Sequence, residues 1–558
     1  MLIGIDVGGT FTDGVLFNEG KVLKWVKELT DTEDLKETIL KVLDGLLAET
    51  DATAIDRLVV STTTVTNLFA TGKLEKVALL VIPGPGLDPV NLNLAEELHV
   101  IKGAIDFRGR EIEVLDKTQA EMAIKNIKEK GIRKAAIAGK FAQRNPIHEQ
   151  AVADLFAKLY PECDVLMGHK ISGRLNFPRR AVTTVYTLAT RDAWIHFADE
   201  FQMAVTERNL KIPIEFMKAD AGTMNIDTSR KEPCQTVFSG PAASTMGAFA
   251  LTMDDRTSVV VDIGGTTSDL ALILGGKPLY ASKGAKIEER FTQIKALAVR
   301  SIALGGDSVV RMNDGKLNIG PDREGLAACF GGTHPTPTDA FNVAGDGKLG
   351  DVELSRRALA GLIKGEEASV QQLAEDIVKE FVDLLQASVS DMLRQWEEEP
   401  LYKVWEIVNK RQARIDKVVG IGAAAPAFIP ILAERMKCEG FLHEYSPVAN
   451  ALGAAVARPT IEVNYHADTQ TGRWSIDGAS GHIKEGARMQ MDDVRKLAEE
   501  QLARLAGDLH MDQYLSETEL LWEEQFNTMR GWSTSGKIFD IGIGIAPGVI
   551  AGFQGVKA

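Results

Sequence analysis

One eight-residue segment occurs twice in this chain. Asp6-Val7-Gly8-Gly9-Thr10-Phe11-Thr12-Asp13 returns as Asp262-Ile263-Gly264-Gly265-Thr266-Thr267-Ser268-Asp269, identical at five positions and exchanged Val for Ile and Thr for Ser at two more. An interval of roughly 250 residues is far longer than a solenoid unit and fits two large copies of one domain. The surroundings repeat as well. An apolar strand precedes each copy (residues 2–5 and 258–261), a second follows (14–17 and 270–274), and after a Gly-containing turn comes a third (22–26 and 278–281). Three strands joined by tight hairpins therefore open each half. The first half continues with a helix over 32–48, a strand at 58–60, a helix over 62–72 and a strand at 77–82. That βββαβαβ order predicts a mixed sheet covered by helices.

Further along, a helix is expected over 117–130, then a strand at 135–138, and Asn145-Pro146 reads as a helix start with Asn at the cap. The charged stretch 351–410 carries Leu373, Ile377, Phe381, Leu384 and Leu385 at helical spacing and reads as an insertion or lid. From 459 onward come a polar loop (468–481), a helix over 490–507 and a Gly-rich apolar tail (538–553), read as a terminal strand or a partner-docking edge. The expected organisation is a first domain over 1–180, a second over 181–458 containing the helical insertion, and a C-terminal extension over 459–558.

Acidic residues number 78 and basic residues 63, a net charge of −15, in a chain of 45% apolar and 25% charged residues. This is ordinary globular composition, and without a Lys/Arg run it argues against nucleic acid as a partner. No stretch approaches about 18 consecutive apolar residues, so no membrane span is expected. The chain opens on a strand with no basic region before an apolar stretch, so no secretory leader is expected. Cys163, Cys234, Cys329 and Cys438 stand far apart without a CxxC pair, which argues against disulfides and a cysteine zinc site. A cytoplasmic location is the expectation.

The repeated turn has a chemical logic. Its glycines let the backbone approach a ligand closely, its N–H groups form an anion-binding nest, and its threonines add donors. An aspartate beside such a nest is tolerable when it holds Mg2+ or water. Two copies at equivalent places can face each other across a cleft and hold a triphosphate between them. The segment 416–426, a strand ending in Gly420-Ile421-Gly422-Ala423, leaves room for a flat ring on the backbone, and the small-residue helix 449–457 suits a close crossing at a hinge.

With these loops, the runs Thr62-Thr63-Thr64-Val65-Thr66-Asn67, Asn145-Pro146-Ile147-His148-Glu149, Phe238-Ser239-Gly240-Pro241-Ala242-Ala243, Pro337-Thr338-Asp339-Ala340 and Ala451-Leu452-Gly453 resemble, in order, the hydantoinase A / 5-oxoprolinase family. That family sits in the superfamily of sugar kinases, heat-shock chaperone ATPases and actin. The resemblance implies an α/β fold of duplicated ribonuclease H-like (actin-like ATPase) domains, mixed sheets flanked by helices, with a cleft between them. It implies ATP and Mg2+ as cofactors. Asp6 and Asp262 would hold the metal and, with Asp13 and Asp269, supply the catalytic carboxylates. Gly8, Gly9, Thr10, Thr12, Gly264, Gly265, Thr266 and Thr267 would cradle phosphates, and Gly305, Gly306, Gly420, Gly422 and Ala423 would line the nucleotide. Thr63, Asn67, His148, Ser239, His334 and Asp339 are the substrate-side candidates.

The implied activity is ATP-dependent hydrolysis of cyclic amides of the hydantoin, 5-oxoproline or lactam type, by phosphorylation of the amide oxygen. The implied partner is a hydantoinase B-type subunit, in a hetero-oligomer or homo-oligomer. A small-ketone carboxylase subunit, a chaperone-like reactivase and a small-molecule kinase are the alternatives. Two departures from the family pattern stand out: Ser61 occupies a position commonly held by His, and the usual Gly-Ala-Gly-Gly-Gly-Ser run is Ala303-Leu304-Gly305-Gly306-Asp307-Ser308, with an extra carboxylate.

Overall fold

The computed structural model describes all residues except 32–33, 314, 346–348, 364–366, 400–412, 477–478, 484–488, 531–532 and 558. Both repeats open a sheet of the same order. In the first lobe, Leu2–Val7 pairs antiparallel with Phe11–Asn18, which pairs with Lys21–Leu29; on its other side Leu2–Val7 runs parallel to Arg57–Thr62, and that strand to Ile214–Met217. In the second lobe, Ser258–Ile263 takes the first position, Ser268–Leu274 and Lys277–Pro278 follow on one side, and the parallel strands Lys417–Ile421 and Glu439–Phe441 lie on the other. This is the expected α/β fold, a duplicated ribonuclease H-like unit with helices against its mixed sheets.

Three expectations about elements change. The strand foreseen at 77–82 leaves the first sheet: Ala78–Ile82 joins Glu97–Val100, Lys134–Gly139 and Asp164–Met167 in a separate, all-parallel sheet. Its residues are buried on both faces, as parallel-sheet strands are, and a continuous apolar run does not say which sheet it enters. The first sheet instead takes its fifth strand from Ile214–Met217, after the 31-residue helix Phe177–Glu207. The third strand of the second half shrinks to Lys277–Pro278, since proline cannot continue a ladder, and Val299–Ile302 pairs with Ser268–Leu274 instead.

The stretch read as a lid covers the second sheet. Ile377, Phe381 and Leu385 of the helix Glu367–Glu397 are fully buried in the second-lobe core, with the Phe381 ring 4.2 Å from that of Phe428. The end of that stretch, 400–412, lies outside the described residues. In the C-terminal extension the apolar tail forms Ser533–Ile545, an interior strand between Glu462–Asp468 and the edge strand Thr518–Arg530, and the polar loop holds the strands Arg473–Ile476 and Ala479–His482. Arg108 to Asp468 and Arg144 to Asp540 tie this sheet to the first half of the chain. Among the described residues no helix is long and apolar enough to cross a membrane.

Two helices of small residues, Ser239–Thr252 and Ala449–Val456, cross between the lobes. They meet at glycine: a Cβ on Gly453 would lie 2.1 Å from the Ala243 carbonyl oxygen, and one on Gly247 would lie 2.1 Å from that of Ala449. Gly4 of the first strand rests on the same helix, where a Cβ would stand 1.9 Å from the Ala451 oxygen. Backbone blocks every one of these positions, so no rotamer change relieves a side chain there. Gly453→Val is expected to cost roughly 3 kcal/mol or more. Gly9→Ala, where a Cβ meets nothing within 4 Å, is expected to change stability little. Thermal unfolding of the two variants checks this.

Candidate active site

Each repeated turn is closed by the same backbone bond, Gly8 N–H to the Phe11 carbonyl and Gly264 N–H to the Thr267 carbonyl, both at 3.0 Å. Strand register places Asp6 opposite Asp13 and Asp262 opposite Asp269. The crossing helices then bring the two pairs together. Asn450, on Ala449–Val456, donates through Nδ2 to Asp6 Oδ2 and to Asp262 Oδ2, 3.3 Å each. Ser244, on Ser239–Thr252, donates to Asp262 Oδ2 at 2.5 Å. Asp13 is held by Lys27 Nζ at 2.7 and 2.8 Å.

Of the glycines expected to line a nucleotide, Gly305, Gly306 and Gly422 lie at this seam and Gly420 does not. Gly306 and Asp307 donate backbone N–H groups to the Gly264 and Gly265 carbonyls at 2.9 and 2.8 Å, so the 305–307 segment backs the second turn. Gly422, at φ +87°, lies against Asp262, where a Cβ would stand 2.8 Å from Oδ1. Gly420 packs inward against Ile429 and Leu442, and Ala423 is exposed at the head of the helix Ala425–Met436. In the first turn Thr10 accepts through its carbonyl from Thr30 N–H at 2.9 Å, and Thr12 shares a hydroxyl bond of 3.0 Å with Thr30.

The substrate-side candidates separate into two groups. Thr63, Asn67 and Ser239 lie together at the entrance to the helix crossing: Asn67 donates to Thr63 Oγ1 at 3.2 Å, and Ser239 Oγ donates to the Thr62 carbonyl at 2.8 Å. The others serve different neighbourhoods. Buried His148 faces Glu111 at 2.7 Å beside the all-parallel sheet. His334 pairs with Glu324 at 2.9 Å. Asp339 is fully buried and accepts from the backbone of Ala328, Cys329 and Thr336 and the hydroxyls of Thr336 and Ser355, which fills its lone pairs with local architecture. Sequence reading missed Lys27, Ser244, Asn450 and Arg323. The signal for Asn450 was available: it is a lone polar side chain on a run of small apolar residues.

The cluster is electrostatically loaded. Asp6 is pushed up to about 7 by burial and then by the charge of Asp13, and Asp269 is pushed up to about 7 by burial and then by Asp262. Asp262 is raised by burial against the pull of Ser244 and Asn450, and Asp13 by burial against Lys27. Asp6 Oδ1 is buried with no hydrogen-bond partner. Among the described residues no three His, Cys, Asp or Glu side chains form a metal cage. The orphaned Asp6 oxygen fits Mg2+, which takes one or two carboxylates and fills its remaining positions with phosphate oxygens and water. A cavity of about 720 Å³ lies elsewhere, between the first lobe and the C-terminal extension, and none of the turn residues lines it.

A model of the Hydantoinase/oxoprolinase family matches residues 180–463, more than half of the chain, and one of the Hydantoinase/oxoprolinase N-terminal region matches 2–160. The chain belongs to the hydantoinase/oxoprolinase family. Relatives include an uncharacterized protein of Methanocaldococcus jannaschii, 24% identical over 82% of this chain and 72% of its own length. Caprolactamase subunit alpha of Pseudomonas jessenii is 25% identical over 67% of this chain and 60% of its own length, and acetophenone carboxylase gamma subunit of Aromatoleum aromaticum is 24% identical over 62% and 53%. The chain thus spans little more than half the length of the two relatives with named activities. The crystal structure of ATP-dependent caprolactamase from Pseudomonas jessenii shares the fold at a TM-score of 0.70 and 18% identity over 97% of this chain and 87% of that one. Nucleotide-free acetone carboxylase does so at 0.69 and 17% over 98% and 87%.

The raised carboxylates of this hydantoinase/oxoprolinase chain set a pH dependence. Asp6 and Asp269 bind their protons more tightly folded than unfolded, so the stability they contribute is full below about pH 4 and is lost as pH rises through about 7. Asp269→Asn is expected to raise the melting temperature of nucleotide-free protein by at least about 2 °C at about pH 8 and to have little effect at about pH 4. A melting-temperature series against pH, wild type beside variant, reads this directly.

Proposed function

We propose that this chain is the ATP-using, A-type subunit of an enzyme that phosphorylates the oxygen of a cyclic amide and commits it to hydrolysis, with a B-type subunit as partner. The observation that carries the reading is Asn450 bonded at once to Asp6 and Asp262, which joins the aspartates of the two glycine turns at one seam. The family membership and the likeness to a caprolactamase subunit support the amide as substrate.

In this reading the N–H groups of Gly9, Thr10, Gly265 and Thr266 hold the phosphates, with the hydroxyls of Thr10, Thr266 and Thr267 at their margins, while Gly8 and Gly264 close the turns and buried Thr12 is committed to Thr30. Gly422 and Ala423 leave room for the nucleoside, whereas Gly305 and Gly306 support the second turn from behind and Gly420 packs inward. Asp6 and Asp262 would hold Mg2+, which supplies charge neutralisation at the phosphates. Thr63 and Asn67 orient the amide. Its oxygen bonds to the γ-phosphorus, the bond from that phosphorus to the bridging oxygen breaks, and the electron pair leaves with ADP. The phosphorylated carbon is then open to water, whereas a free amide carbonyl is a poor target. Catalysis of the transfer is positioning and charge neutralisation.

A second reading has specific support. Acetone carboxylase shares the fold to the same degree, and acetophenone carboxylase gamma subunit is a relative, so a small ketone could present the attacking oxygen in its enol form. ATP hydrolysis by the chain with its partner, assayed with a panel of lactams, hydantoins and small ketones, separates the two. Stimulation by a lactam or hydantoin is expected, and stimulation by ketone plus bicarbonate alone would replace the first reading with the second. Asp6→Ala and Asp262→Ala are each expected to lower ATP turnover by about 100-fold or more while remaining folded by circular dichroism.

A further inference from the structure

Arg323 ends the hairpin formed by Ser308–Asn313 and Lys316–Arg323 in the second lobe, yet it reaches the first. Its Nη1 donates to Thr10 Oγ1 at 2.9 Å, Nη2 to Asp307 Oδ2 at 2.9 Å, and Nε to the Gly325 carbonyl at 3.1 Å. The guanidinium also lies over the second turn, where a Cβ on Gly265 would stand 3.4 Å from its Cζ. One cation therefore touches the tips of both glycine turns, and no other side chain among the described residues is hydrogen-bonded to Thr10 across the cleft.

Two features point to a ligand rather than a mere latch. A guanidinium has five N–H donors, and three are engaged, so Nη1 and Nη2 each keep one hydrogen for a further acceptor. The contact on the first lobe is a neutral hydroxyl, which a phosphate oxygen outcompetes as acceptor. Asp307 is the extra carboxylate of the 303–308 segment, and it has a defined use here. Burial raises its pKa and Arg323 opposes that rise, and the 2.9 Å contact between them holds the guanidinium in place.

We propose that Arg323, held by Asp307, is the cation that contacts the terminal phosphate of the bound nucleotide from the second lobe. The inference rests on the nucleotide reading above. As the acceptor oxygen bonds to the γ-phosphorus and the electron pair passes to the bridging oxygen of departing ADP, a guanidinium at the turn tips neutralises the charge in motion, as arginines do in other phosphoryl transfers.

The test compares ADP with ADP plus beryllium fluoride, a γ-phosphate mimic, by calorimetry on the full chain with Mg2+. Wild type is expected to bind the fluoride complex more tightly than ADP alone. Arg323→Ala is expected to bind ADP within about 3-fold of wild type and to lose about 10-fold or more of its preference for the mimic, with Arg323→Lys intermediate. Asp307→Asn is expected to shift the preference in the same direction by a smaller factor. Equal weakening of ADP and of the mimic in Arg323→Ala would make the residue a lobe latch and overturn the proposal, as would an unchanged preference. Should Arg323→Ala fail to fold, Arg323→Lys decides by the same ratio. Wild-type protein that binds neither species would instead remove the nucleotide reading itself.

Discussion

Four aspartates at one seam are the burden this architecture is built around. Asp6 and Asp13 are buried, and Asp262 and Asp269 stand partly covered beside them. Cross-strand register puts like charges directly opposite within each pair, an arrangement that destabilises a sheet. Against this the chain supplies one ammonium, Lys27, and the amide and hydroxyl of Asn450 and Ser244. These donors are in place because two helices approach to backbone contact at Gly247 and Gly453, a distance that larger residues forbid. A cation and a polyphosphate bound at the seam would relieve the repulsion, and ligand binding and folding stability are then linked.

The duplication is not symmetrical in its chemistry. In the first turn Asp13 has a lysine, and the loop is braced by Thr30. In the second, Asp269 has no such cation among the described residues, its pKa is raised to about 7, and the loop is braced from behind by the backbone of 305–307. One fold unit used twice has thus given a turn whose acid is neutralised internally and a turn whose charge is left for something else to meet. Arg323 comes from the second lobe, carries its own carboxylate, and leans toward the first turn.

The repeat made the architecture readable because it exposes the same short-range pattern twice: apolar strand, glycine turn, acid, apolar strand. Hairpin pairing follows from adjacency in sequence, and so the order of the first strands was legible. Pairing between distant segments was not. Ala78–Ile82 and Ile214–Met217 are both short apolar runs, and nothing local assigns one to the parallel sheet and the other to the first lobe. The site divided along the same line. The turns, Gly305, Gly306 and Gly422 lie together at the seam, whereas His148 and Asp339 are bonded within local packing. Asn450 was overlooked because its function depends on a helix crossing made by residues 200 positions away.

On the reading proposed above, one seam would serve more than one substrate. A lactam and an enolised ketone would both present a carbonyl-derived oxygen to the same γ-phosphorus, so the turns, the aspartates and the arginine would be indifferent to which one attacks. Discrimination has to come from groups that face the acceptor. Ser239 has committed its hydroxyl to the Thr62 carbonyl and Asp339 its lone pairs to nearby donors, which removes both from that task. Asn67 is exposed and bonds to Thr63 through a single amide hydrogen, and it keeps a second donor and a carbonyl acceptor for a substrate. An amide offers both an acceptor and an N–H, and a ketone offers only the acceptor. On that reading a side chain with one of each would match the amide, and the bond from Asn67 to Thr63 would set the orientation of the match.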